Sequence, residues 1–198
     1  MVHVRRSNAE SEIVDLVANR ECGKCTVCCK VLTIDDPQLQ KLPGVMCPNC
    51  KTGSGCKIYD TRPDPCRGFF CGWRHLRDLD DKWRPDKSGV MIRFQGAPPG
   101  YQPPGFQFLV FGHGDLVTPS FVNYLTNLVA RRAPVFLAMR GPEGFSDVSI
   151  FMNDHLTPAV TNRDRNAFVK VLRNALEAMS KNQFEKAVLK HGSPAAPA

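Results

Sequence analysis

After Cys71 the chain runs 127 residues to its end without another cysteine, although nine lie between Cys22 and Cys71. It also has no apolar run near the roughly 18 residues of a membrane span, so no helical span is expected. The opening residues, Met-Val-His-Val-Arg-Arg-Ser, lack the apolar segment of a secretory leader, which makes the cytoplasm the expected location. No GxSxG, Walker or GxGxxG motif occurs, so the hydrolase, P-loop and Rossmann readings have no support. Basic residues never form a block; only the pairs Arg5-Arg6 and Arg131-Arg132 adjoin. No internal repeat is visible.

What is present is ordinary in bulk. The 198 residues are 42% apolar and 23% charged, as in globular proteins, and suffice for one domain plus a small one. The formal charge of +7 divides into +3 over residues 1–88 and +4 over 89–198. That sum assumes neutral thiols. A divalent ion held by four thiolates carries −2, so two such centres would leave about +3. Nucleic acid is therefore not an expected partner.

The cysteines are the exceptional feature. Their spacing is Cys22-x2-Cys25-x2-Cys28-Cys29, then Cys47-x2-Cys50-x5-Cys56-x9-Cys66-x4-Cys71. An odd number, tightly clustered in a reducing compartment, favours metal over disulfides. The segment is also poor in core-forming residues, with twelve large apolar or aromatic side chains in residues 22–71. So small a core calls for a staple, and a structural metal contributes roughly 10–16 kcal/mol.

Two groupings compete. Cys22, Cys25, Cys47 and Cys50 have the spacing of a zinc ribbon, each C-x2-C turn directing two thiolates at one ion. Alternatively, Cys22, Cys25 and Cys28 match the C-x2-C-x2-C run of bacterial ferredoxins. Leu32 stands where the fourth cysteine would fall, so Cys66 or Cys71 would complete that cluster. The adjacent Cys28-Cys29 pair, read as extended, would point its side chains to two sites sharing a wall. The cofactor expected is zinc or iron, the latter including a [4Fe–4S] cluster.

Cys22-Gly-Lys-Cys-Thr-Val-Cys-Cys29, followed by Cys56-Lys-Ile-Tyr-Asp-Thr-Arg-Pro-Asp-Pro-Cys-Arg-Gly-Phe-Phe-Cys71, resembles the YkgJ-type CxxCxxCC cysteine-cluster family. That family is described as a zinc- or iron-chelating domain. The resemblance covers about residues 20–75, roughly a quarter of the chain. It implies Cys22, Cys25, Cys28, Cys29, Cys56, Cys66 and Cys71 as ligands, with Cys47 or Cys50 supplying one more. Remote relatives include flagellin lysine N-methylases, so the resemblance also admits an iron–sulfur-dependent modifying enzyme. A zinc-ribbon adaptor for nucleic acid or protein is the third reading. It leaves room for a protein partner beside the metal ion.

The expected fold class is α+β: an irregular cysteine-rich, metal-bound module, then a small antiparallel sheet with covering helices. Residues 1–20 should hold a short helix, capped by Ser7-Asn8-Ala9-Glu10, carrying Ile13, Leu16 and Val17 and ending near Asn19. Residues 21–88 form the module, 89–191 the α+β portion and 192–198 a disordered tail. Strands are expected at Val90–Phe94, Phe106–Phe111, Val135–Met139 and Val148–Met152. Thr118-Pro119 should start one helix, and Asn162 should cap a long final one bearing Phe168, Leu172, Ala175, Leu176 and Met179.

Other residues invite chemistry, each with a plainer alternative. Cys47-Pro-Asn-Cys50 has the form of a redox pair but sits among loop residues rather than between strand and helix. His75 is a candidate ligand or a half-exposed side chain. His113 with Asp115, and Asn153-Asp154-His155, suit acid–base chemistry or tight turns. Arg62 and Arg67 would donate to thiolates or backbone carbonyls; alternatively the segment is a proline-fixed turn in which Arg62 pairs with Asp60 or Asp64 on the surface.

Overall fold

The computed structural model describes residues 16–112 and 116–190. The expected helix in residues 1–15, the His113–Asp115 pair and the tail at 192–198 lie outside them. Residues 16–20, where that helix was to end, form a bend and turn, with Asn19 at φ +62°.

The cysteine-rich segment builds only short elements, as its Gly, Pro and Asp content dictates. These are α1 (Val27–Val31), the hairpin β1 (Ile34–Asp36) and β2 (Leu39–Lys41), and the hairpin β3 (Cys50–Lys51) and β4 (Gly55–Cys56). Three further turns of helix follow: α2 (Asp64–Arg67), α3 (Gly72–His75) and α4 (Pro85–Ser88). Cys28 and Cys29 lie inside α1, which corrects the extended reading of that pair.

Short runs rich in β-branched and aromatic residues then produce strands β5 (Val90–Gln95), β6 (Gly105–Val110), β7 (Val135–Met139) and β8 (Val148–Phe151). They hydrogen-bond in that order in one sheet. The outer pairs are antiparallel, but β6 and β7 run parallel. The wholly antiparallel expectation is thus corrected for the central pair. The cause is α5 (Pro119–Ala130), a crossover between β6 and β7 that returns the chain to the end it left. Thr118 caps α5, its hydroxyl accepting from the Phe121 N–H at 3.3 Å.

A short helix that was not expected, α6 (Asn153–Thr161), precedes the expected final one, α7 (Arg165–Ser180), which carries Phe168, Leu172, Ala175, Leu176 and Met179. Asn162 ends α6; Asp164 caps α7, accepting from Ala167 N–H at 2.9 Å. Between them Arg163 turns left-handed at φ +55°, and that conformation breaks the helix.

Every residue of β6 is buried, because both faces of the sheet are covered. On one face Val90, Ile92, Phe106, Phe108, Val110, Val135 and Leu137 pack in a core with Phe121, Leu125, Leu156, Phe168 and Leu172 of the helices. Trp73, Leu76 and Leu79 join that core. On the other face Met91, Leu109 and Ala138 meet Val31 of α1, with Cys28, Phe69 and Cys71 packed alongside. The cysteine-rich segment is therefore seated on the sheet. A second anchor lies at Gly44 (φ +83°), where an added Cβ would stand 2.9 Å from Glu143 Cα.

Candidate metal centre

Each C-x2-C run folds as a tight turn. The Cys25 N–H donates to Cys22 O at 2.8 Å, and the Cys50 N–H donates to Cys47 O at 2.9 Å. Such turns aim backbone N–H groups at sulfur. Cys25 Sγ accepts from the Val27 and Asp86 amides, Cys47 Sγ from Asn49, and Cys71 Sγ from Arg74 and Trp73. Donors of this kind favour a thiolate over a thiol. Cys71 begins α3, Cys66 lies in α2 behind Pro63 and Pro65, and Cys50 faces Cys56 across the β3–β4 ladder.

Seven cysteines (Cys22, Cys25, Cys28, Cys29, Cys47, Cys56 and Cys66) line one cavity of about 380 Å³. Cys50 and Cys71 do not line it. All nine are free thiols. Burial, not charge, is the first influence on most of them: it raises Cys71 and Cys50 to about 11 each and pushes Cys25, Cys47 and Cys66 upward. Cys29 is driven up furthest, first by its hydrogen bond with Cys28 and then by burial.

The mutual electrostatics divide the set. Cys71 feels Cys22 and Cys25; Cys25 feels Asp86 and Cys22. Cys66, Cys47 and Cys50 each feel Cys29 and Cys56. The zinc-ribbon grouping of Cys22 and Cys25 with Cys47 and Cys50 thus combines residues of different neighbourhoods. Asp86 was not legible as a neighbour of this site. Its carboxylate holds Arg84 at 2.6 and 2.9 Å and accepts from the Cys25 thiol.

Three cations organise the segment, and none had a signal in the sequence. Lys41, only 3% exposed, donates to the carbonyls of Lys30 (3.0 Å), Leu42 (3.1 Å), Val45 (2.9 Å) and Leu32. Burial lowers it to about 8, against the charges of Cys47 and Cys29. Arg20 gathers the carbonyls of Trp73, Leu76, Arg77 and Leu79 and lies over the Trp73 ring. Arg74 is buried, reaches Cys22 Sγ at 3.8 Å and stacks on Phe70. For the two arginines, partners more than fifty residues away leave no local pattern.

The remaining candidates resolve individually. Arg62 donates to Tyr59 O at 2.8 Å, lies over the Tyr59 ring and lines the cavity. Arg67 pairs with Asp64 on the surface. Cys50 opens a two-residue strand, so the Cys47–Cys50 run lacks the strand–helix setting of a redox pair. His75 is half-buried between the rings of Phe70 and Phe94. Asn153 is a brace, accepting from Val135 N–H at 2.7 Å and donating to Ala133 O at 2.8 Å, while Asp154 and His155 are exposed.

The donor chemistry suits a soft ion such as zinc or iron: several buried thiols, amides aimed at sulfur, cations nearby. Among the described residues, however, no group of three or more His, Cys, Asp or Glu is drawn together closely enough to hold a metal as it stands. Among the described residues no helix is long and apolar enough to cross a membrane. No family model matches the chain, and no curated protein or solved structure matches it.

Proposed function

We propose that this chain binds zinc or iron through thiolates in two adjoining sets. The carrying observation is that seven cysteines line a single cavity. Cys22, Cys25 and Cys71 form the first set by their mutual electrostatics. Cys28, packed with Cys71 against the same small core, completes it. Cys29, Cys47, Cys56 and Cys66 form the second. Cys47 rather than Cys50 is the ligand of this second set, because Cys47 is buried whereas Cys50 is only half-buried. The Cys28–Cys29 hydrogen bond marks the shared wall. Metal would replace the protons that burial now keeps on these sulfurs, and its binding energy would draw the turns together.

Metal analysis and absorption spectroscopy on protein purified without oxygen, applied to all nine Cys→Ser variants, test the division. Variants within a set should lose the same equivalent, and Cys50→Ser should keep both. Equal loss across all nine, or chelator-treated protein ordered as fully as untreated, would overturn the reading. A brown preparation identifies iron–sulfur and directs attention to an iron–sulfur-dependent modifying activity; a colourless protein with stoichiometric zinc counts heavily against that activity.

A further inference from the structure

Two sets of four thiolates are closed coordination spheres, so a further molecule in this cavity would sit beside the metal rather than on it. Here the cysteines share their cavity with an apolar wall of Leu32, Ile34, Leu39, Ile58 and Phe69, and with Arg93 from the sheet. The volume of about 380 Å³ falls among small-molecule sites, which are mostly apolar with a few placed polar groups.

Arg93 is built into position. Its Nε donates to Gln107 Oε1 at 2.8 Å and a terminal nitrogen to Asp147 Oδ2 at 2.9 Å. Gln107 in turn donates to Ser149 Oγ at 3.2 Å, so the guanidinium is braced across β6 and β8. Its side chain is 22% exposed. Asp147 cancels one charge, but Arg140 acts on the same carboxylate, leaving the trio net positive. A braced guanidinium fork matches a planar carboxylate. The apolar wall disfavours a more highly charged head group.

We infer that the cavity receives a small organic carboxylate, its apolar part on the Leu32–Phe69 wall and its head on Arg93, beside the thiolate-held metal. The inference rests on the metal-binding reading above.

Calorimetric titration of the zinc-loaded full chain with hexanoate, hexanol and hexylamine tests it. Hexanoate should bind about tenfold or more tightly than hexanol, the worth of one charge-assisted hydrogen bond. The double variant Arg93→Gln/Asp147→Asn removes both charges together and strands neither. It should bring hexanoate down to hexanol with zinc content unchanged, while Arg93→Lys, which keeps charge but loses the fork, falls between. Equal binding of hexanoate and hexanol, a preference that survives in the double variant, or binding of none of the three would overturn the inference. Metal content is read on the same samples. A chain that takes up no metal fails the chelation reading, whereas a loaded chain indifferent to hexanoate fails this inference alone.

Discussion

Replacing Lys41 with methionine tests whether a buried cation, rather than metal alone, holds the cysteine-rich segment in shape. Methionine keeps most of the volume but removes three N–H donors from four carbonyls, those of Lys30, Leu32, Leu42 and Val45. Leaving buried acceptors unpaired costs roughly 1–3 kcal/mol each. Removing the ammonium also relieves its own desolvation, which offsets part of that loss. A net destabilisation of about 3 kcal/mol is expected for the metal-free protein, a fall of about 1–2 M in the urea midpoint at ordinary slopes. Both tryptophans, Trp73 and Trp83, pack against the main core beside this segment, so their fluorescence reports the transition. The pH dependence has a definite sign. With Lys41 lowered to about 8 from 10.5, the unfolded chain binds its proton more tightly between those values, so wild-type stability should rise relative to Lys41→Met across that interval. A variant as stable as wild type, or a stability difference flat from pH 7 to 10, would refute the reasoning.

Three further outcomes are expected. Asn153→Leu strands the Val135 N–H and the Ala133 carbonyl and should cost about 2–4 kcal/mol in thermal or urea unfolding; a change within about 0.5 kcal/mol would mean the brace is dispensable. Gly72→Ala would place Cβ 2.6 Å from Ile92 Cγ2 and 2.7 Å from Ile92 Cβ, and overpacking of about 1–3 kcal/mol should appear as a lowered urea midpoint, an unchanged midpoint showing that the contact has slack. Zinc affinity should fall steeply with acidity, because burial holds Cys25, Cys47, Cys66 and Cys71 protonated well above neutrality. Up to about tenfold is expected per thiol per pH unit. Competition titrations at pH 6, 7 and 8 measure the slope, and a pH-independent affinity would show that the thiols are not the ligands.

Local physics accounts for the parts of this protein that could be read in advance. Val135–Met139 emerges as a strand because its β-branched and large apolar residues suit a buried strand, and Thr118-Pro119 opens a helix because hydroxyl capping and a fixed φ act within three residues. The C-x2-C turns were legible for the same reason: four consecutive residues suffice to make them. The ferredoxin-like spacing left Cys66 and Cys71 as candidates to join Cys22 and Cys25, and tertiary structure placed Cys71 beside them across some fifty residues. It also decided that Asp164, not Asn162, caps α7, and that β6 and β7 run parallel. Among the hidden contributors, Arg20 and Arg93 are cations whose partners are distant carbonyls and side chains, whereas Lys41 is enclosed by nearby carbonyls that only the folded loops turn toward it. A charge buried by remote contacts has no periodicity of its own, so only the folded arrangement reveals where it sits.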